Sequence, residues 1–375
     1  MTVVASARVL ASDYEEVRAC RGPRSRLHMA IAIHRTVEGR SLGGLRFEPY
    51  DTPDDALTDV KRLARAMTAK AAVAGLRLGG AKGVVAYPPG APPDPELRRL
   101  ALRDFADLVD SFDGRYITAQ DAGTSIEDIS LIARFTDHIA GRPLSEGGSG
   151  DPSPYTAHGV EVAIRATLGE PIAGRHVVIV GLGHVGSKLA QRLHEAGVRL
   201  TVADVNAERI ALAQRLGAKW MTPEDAMAAE ADVLAPCALG GMLDLDTVAR
   251  LRVPVVAGAA NNQLANDFLA DALLERGIVW APDFIVNAGG LIAVADELHR
   301  FDKRRVERSI ERIDDTLKEI YDRAARAGTN TLIAAQQLAV ERAGRVNGSD
   351  TSSRAAEASS DGGRAQQSTV TGPSA

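Results

Sequence analysis

The chain has 375 residues, 45% of them hydrophobic, with 44 Lys and Arg against 49 Asp and Glu. Its net charge of −5, with no basic stretch free of neighbouring acids, argues against nucleic acid as a partner. No apolar run approaches the ~20 residues of a membrane span, the opening MTVVASARVLASDYEE lacks the basic start of a signal peptide, and two cysteines build no disulfide framework. A soluble, cytoplasmic protein with room for two domains is expected.

Residues 27–36, LHMAIAIHRT, alternate as a strand does. Thr52 then reads as the N-cap of a helix, with Pro53 at its first position and Asp54 and Asp55 at its positive end. Leu57, Val60, Leu63, Ala64, Met67 and Ala71 give this helix one apolar face. Lys70 falls at its end and Lys82 just beyond a Gly-rich turn. A Pro-rich loop leads into a second amphipathic helix, and GRYITAQDAGTS reads as a short strand ending in a turn that carries Asp121. The loop SEGGSGDPSPYT, residues 145–156, is a hinge or boundary.

Beyond it the pattern becomes strand, Gly turn, helix, strand, followed by further short apolar runs between helical segments. Alternating units of this kind predict a parallel sheet covered on both faces. Residues 303–345 are charged and helical by spacing, and the polar composition of 346–375 predicts a disordered tail.

In GLGHVG, Gly181, Gly183 and Gly186 hold the G-x-G-x-x-G spacing, with His184 and Val185 at its variable positions. The motif follows a strand, opens a helix, and is followed by a second strand ending in Asp204, about 20 residues on. Each part has a physical role. The glycines allow a tight turn, close approach of backbone to a pyrophosphate, and close helix–strand packing; the carboxylate meets the ribose hydroxyls. That carboxylate repels a 2′-phosphate, so NAD rather than NADP is expected.

Lys70, Lys82 and Asp121 remain as ionisable groups in an apolar setting, and no metal or serine-nucleophile motif competes with them. Lowering a lysine by about two pKa units takes ~2.7 kcal/mol. A second cation about 5 Å away at an effective dielectric of ~20 supplies roughly that, and burial acts in the same direction. One lysine can thus activate the other, although composition alone leaves open two solvated loop lysines.

These residues, with LGGLRF (42–47), MTAKAAVAGLRLGGAK (67–82), TAQDAGT (118–124), YTAHGV (155–160), APCALGG (235–241), AGAANNQL (257–264) and PDFIVNAGGLIAVADEL (282–298), resemble the Glu/Leu/Phe/Val family of amino-acid dehydrogenases. The resemblance implies an α/β protein of two domains: an N-terminal substrate and catalytic domain over 1–145 and a Rossmann-type, doubly wound NAD-binding domain over 146–325. A cleft lies between them, and the helices of 326–345 return to the first domain. It also implies a homo-oligomer.

By the same resemblance Lys70 binds the substrate α-carboxylate with Asn262 and the backbone around Gly44. Lys82 is the general base and Asp121 the proton-handling acid. Thr156, Asn261 and the turn from Cys237 and Ala238 to Gly240 line the nicotinamide and ribose, with Asn287 in the loop nearest the cleft. The implied reaction is reversible oxidative deamination of an L-amino acid to a 2-oxo acid and ammonium.

Glutamate-specific relatives carry Lys and Ser where this chain has Leu42 and Val294. Leu42, Ala119, Leu291 and Val294 therefore imply a small aliphatic pocket, because a buried γ-carboxylate without a partner is costly. Leu291 also weighs against phenylalanine. The alternatives are another amino acid (Phe, Glu or an unusual one) and a non-catalytic NAD-binding regulator. Arg77, between the lysines, is expected in a solvated turn or an ion pair.

Overall fold

Two sheets organise the chain, in a computed structural model that describes residues 13–344 and the short strand Ala7–Arg8. The first contains β1 (Ala7–Arg8), β2 (Glu16–Arg21), β3 (His28–Ile33), β4 (Ser41–Leu42), β5 (Leu45–Pro49), β6 (Gly79–Tyr87) and β7 (Tyr116–Ile117). Its order is β1-β2-β3-β6-β4-β7, and β5 also pairs with β6.

The central strand, β6, explains the Ala/Gly-rich composition around Lys82. It pairs antiparallel with β3 on one side and parallel with β4 and β5 on the other. Helices cover both faces, so small residues are needed. A Cβ on Gly80 would lie 2.0 Å from the Thr68 backbone nitrogen, and one on Gly83 would lie 2.4 Å from Phe105 Cζ. Gly79 and Gly80 are thus strand residues, where the sequence suggested a turn: pairing with Ser41 and Leu42 overrides the weak strand preference of glycine.

Strand alternation then sends Lys82, Val84 and Ala86 to the face covered by the helix Pro53–Val73. That helix starts as expected, with a reciprocal capping box between Thr52 and Asp55. Ala56, Val60 and Ala64 pack against Ala30, Ala32 and Val84. The opposite face of the sheet packs on the helix Pro95–Asp110 through Leu102, Phe105 and Val109.

The second sheet contains β8 (His176–Val180), β9 (Arg199–Ala203), β10 (Lys219–Trp220), β11 (Val233–Pro236), β12 (Val255–Val256) and β13 (Val279–Trp280). All pairs are parallel, in the order β10-β9-β8-β11-β12-β13. This is the doubly wound dinucleotide-binding order, which reverses between β8 and β11 and opens a ligand crevice there.

Between the sheets, the expected boundary loop is shorter than predicted, because Ser153–Leu168 is already helix and carries Tyr155 and Thr156 in its first turn. The preceding loop is tied to Glu297. This buried carboxylate accepts from the backbone N–H groups of Gly141 (2.9 Å) and Ser149 (2.7 Å) and from Ser149 Oγ (2.5 Å).

At the other end, the helix Lys303–Ala327 buries Ile310, Ile313 and Leu317 in the core of the second unit. The helix over 331–344 adds Ala334, Ala335 and Leu338 to that core. From it Arg342 donates to the Val73 carbonyl at 2.7 Å, at the end of the helix that carries Lys70. The tail expected to be disordered, 346–375, lies outside the described residues.

Candidate active site

A cavity of about 260 Å³ opens between the two sheets. The first unit lines it with Leu42, Gly44, Met67, Lys70, Lys82, Ala119, Gln120 and Asp121. The second contributes Thr156, Val185, Asn261, Asn287, Gly290, Leu291 and Val294.

Lys82 and Asp121 form its charged centre, with Nζ 3.0 Å from Oδ2. Lys82 is only 5% exposed, and that burial lowers its pKa. The Asp121 carboxylate opposes the shift, and Arg46 adds to it. Asp121 shows the converse balance: burial pushes it up, but Lys82 and Arg46 outweigh this and hold it below the ordinary carboxylate range. Glycine makes the approach of these groups possible. A Cβ on Gly44 would sit 2.8 Å from Asp121 Cβ, and one on Gly43 would fall 1.6 Å from the Ala81 carbonyl oxygen.

Lys70 reaches across the cavity. Its Nζ donates to Asn287 Oδ1 at 2.6 Å, and Asn287 Nδ2 donates to Asn261 Oδ1 at 2.7 Å. Burial lowers the Lys70 pKa to about 8; Asp283 and Asp121 oppose this, and Lys82 contributes on the lowering side. From the sequence, the neighbouring cation was expected to act first and burial to help. In the structure burial comes first for both lysines. Asp283 is itself buried beneath this region, accepting from the Gln263 N–H at 2.9 Å, and burial raises its pKa.

The remaining wall is apolar. Leu42, Ala119 and Val294 belong to one small buried cluster, with Leu291 packed against it. Tyr116, fully buried, donates to the Gly43 carbonyl at 2.8 Å and fixes the strand that presents Leu42.

The glycine turn follows β8 and opens the helix His184–Glu195. Gly181 has φ +102°, and a Cβ there would lie 2.7 Å from the Ala238 nitrogen. A Cβ on Gly186 would lie 1.9 Å from the Gly181 carbonyl oxygen and 3.2 Å from Cys237 Cβ. By contrast, nothing lies within 4 Å of a Cβ on Gly183. Open space at the helix N-terminus beside two sterically locked glycines suits a pyrophosphate, so the residues present fit a dinucleotide. Asp204 follows β9 and accepts from the N–H groups of Leu182 (2.6 Å) and Asn206 (2.8 Å), which ties the acidic end of that strand to the turn.

Of the expected cofactor residues, Val185, Thr156, Asn261 and Asn287 line the cavity, whereas Gly181, Gly183, Gly186, Asp204, Cys237 and Ala238 lie outside its lining, as do Asn262 and His184. Asn262 has φ +51° and is exposed; its carbonyl accepts from the Gly241 N–H, and the adjacent Asn261 lines the cavity instead. His184 is exposed beside the turn, while Val185 lines the cavity. Cys237 packs against Gly186, and burial pushes its thiol up to about 12, so it is held as a thiol rather than a thiolate. Arg77 pairs with Glu38 at the surface. Sequence reading missed Arg46, Met67, Gln120 and Asp283; the motif blocks contained all four, but no spacing rule marks them.

Residues 14–138 match the Glu/Leu/Phe/Val dehydrogenase dimerisation domain, and 202–349 match the Glutamate/Leucine/Phenylalanine/Valine dehydrogenase model. Residues 156–239 also match the NAD binding domain of D-isomer specific 2-hydroxyacid dehydrogenases. A leucine dehydrogenase of Geobacillus stearothermophilus is 41% identical over 88% of this chain and 90% of its own. A phenylalanine dehydrogenase of Caldalkalibacillus thermarum is 40% identical over 88% and 91%. Among solved structures, the L-tryptophan dehydrogenase of Nostoc punctiforme superposes with a TM-score of 0.77 at 35% identity, covering 89% of this chain and 97% of that one.

Proposed function

The chain belongs to the Glu/Leu/Phe/Val dehydrogenase family, and from that premise we propose how its residues perform the reaction and on which amino acids. It is an NAD-dependent amino-acid dehydrogenase. The substrate class is a branched-chain aliphatic L-amino acid, converted reversibly to the 2-oxo acid and ammonium. The observation that carries this reading is the buried Lys82–Asp121 pair facing Lys70 in a cavity whose remaining wall is Leu42, Ala119, Leu291 and Val294.

Lys70 anchors the α-carboxylate: its ammonium has three hydrogens, and Asn287 takes one. This places the substrate side chain against the apolar wall. The glycine turn of Gly181, Gly183 and Gly186 would hold NAD, which would supply the acceptor for the hydride of the substrate Cα. Lys82 in its neutral form takes a proton from the water that adds to the resulting imine carbon, and burial favours that neutral form. Asp121 receives and returns the proton that passes to and from the departing nitrogen. Thr156, Asn261, Cys237 and Ala238 would border the nicotinamide side, and Asp204 would meet the ribose.

We assign 1–145, with the helices of 326–345, to substrate binding and catalysis, and 146–325 to the nucleotide. The two sheets support the division; the helix over 331–344 packs Ala334, Ala335 and Leu338 into the second unit's core and meets the first through the Arg342–Val73 bond. A homo-oligomer is supported by the match of 14–138 to a dimerisation domain, and a cytoplasmic location by two free cysteines.

The test is NADH formation at alkaline pH over a panel including Leu, Val, Ile, Phe, Trp and Glu, with NAD and with NADP, beside Lys82→Ala. Turnover of branched-chain substrates that requires NAD and is lost in the variant supports the reading. Faster turnover of an aromatic or acidic substrate overturns the assigned pocket.

A further inference from the structure

Behind the Lys82–Asp121 pair stands a second cation. Arg46, on β5, donates from Nε to Asp121 Oδ2 at 3.2 Å, the same oxygen that Lys82 meets at 3.0 Å. Its Nη1 donates to Asp59 Oδ2 at 2.9 Å, on the helix Pro53–Val73. Asp59 is held in turn by the Tyr50 hydroxyl and by Arg62, each at 2.8 Å. The guanidinium thus spans carboxylates from two different elements, which its planar fork can do and a single ammonium cannot. Among the described residues, Asp121 Oδ1 accepts no hydrogen bond, so both cations converge on one oxygen.

We propose that Arg46 is a positioning residue for the reaction: braced by Asp59, it commits one oxygen of Asp121 to the two cations and leaves the other for the substrate nitrogen. This rests on the dehydrogenase reading above. The charged and titratable groups around Asp121 are Lys82 on β6, Arg46 on β5, Lys70 from the helix Pro53–Val73 and the Tyr116 hydroxyl on β7. Burial works against the Asp121 anion, and Lys82 and Arg46 oppose that burial. Loss of Arg46 therefore lets the carboxylate protonate at higher pH and turn away from its fixed orientation.

The experiment is a titration of the Asp121 carboxyl by carbon NMR, assigned with Asp121→Asn, alongside kcat and KM, in the wild type, Arg46→Gln and Arg46→Lys. For Arg46→Gln we expect the Asp121 midpoint to rise by about one pKa unit or more. We also expect kcat to fall ~10- to 100-fold with the amino-acid KM within about threefold. Arg46→Lys should restore the midpoint but not kcat, because it keeps the charge and loses the fork. An unmoved midpoint in Arg46→Gln, or full recovery of kcat in Arg46→Lys, would overturn the proposal.

If Arg46→Gln does not fold, Asp59→Asn decides: a lower kcat at constant KM supports the brace, and an unchanged kcat removes it. A wild type that turns over no amino acid would defeat the dehydrogenase reading, while the titration would still accept or reject the hold of Arg46 on Asp121.

Discussion

Lys70 and Asn287 lie 217 positions apart in the chain and meet at 2.6 Å, joining the unit of the first sheet to that of the second. Any separation of the two units would break this bond and expose Lys70 to water. The same side chain is thus a latch between the units and, in the proposed reaction, the anchor for substrate.

Burying the Lys70 charge works against folding. Its folded pKa of about 8 is below the ordinary lysine value, so the unfolded chain binds the extra proton between about 8 and about 10.4. The destabilisation is therefore complete below pH 8 and fades as pH rises through that window. Lys70→Met should raise Tm at pH 7, lose that advantage by about pH 10.4, and lower kcat/KM ~10- to 100-fold. Thermal melts at two pH values and steady-state kinetics measure both; a lower Tm at pH 7 contradicts this account of the buried charge.

Lys82→Ala should lower kcat ~100- to 10,000-fold, the range of a lost general base. Binding of NADH, measured by fluorescence, should stay within about threefold, since Lys82 belongs to the other unit. A large loss of NADH affinity would place Lys82 elsewhere in the mechanism.

The glycine turn separates stability from ligand binding. Gly186→Ala forces a Cβ to 1.9 Å from the Gly181 carbonyl and should cost several kcal/mol in denaturant unfolding. Gly183→Ala adds a methyl to open space at φ −68° and should fold normally. It should instead weaken NAD binding ~10-fold or more, by obstructing the phosphate approach. Equal effects of the two variants would contradict this division.

Asp204→Asn removes the charge and keeps an acceptor for one of the Leu182 and Asn206 N–H groups, which in the wild type bond to different carboxylate oxygens. The NADP to NAD ratio of kcat/KM should rise ~10-fold or more, the scale of one charge repulsion at short range. Kinetics with the two cofactors check it, and an unmoved ratio would take Asp204 out of cofactor choice.

Leu42→Lys with Val294→Ser places a cation and a hydroxyl on the apolar wall. Glutamate turnover relative to leucine should rise ~10-fold or more. The substrate panel measures it directly, and unchanged preference would locate the side-chain pocket elsewhere.

Much of this site was legible in the sequence where a local rule governs it. Thr52 and Asp55 announced their helix through capping chemistry, and Gly181, Gly183 and Asp204 through spacing. Lys70 and Lys82 were suspicious because cations sit uneasily in Ala/Gly-rich stretches. The turn assigned to Gly79 and Gly80 failed because their strand exists only through pairing with Ser41 and Leu42, a contact no local window contains. Arg46 was invisible for a similar reason, since its meaning depends on Asp59 and Asp121 arriving from a helix and a loop. Between two adjacent asparagines, the left-handed backbone of Asn262 decided which one faces the cavity.

The cage around Glu297 bears on how the side-chain pocket is assembled. Its carboxylate grips the Gly141–Ser149 linker, and it lies immediately after the helix Gly289–Asp296 that carries Leu291 and Val294. Linker and specificity helix are therefore tied to each other, while Leu42 and Ala119 belong to the first unit. The side-chain mould is cast in two halves, complete only when the halves are brought together. Any displacement between the two sheets would therefore reshape the whole side-chain pocket at once.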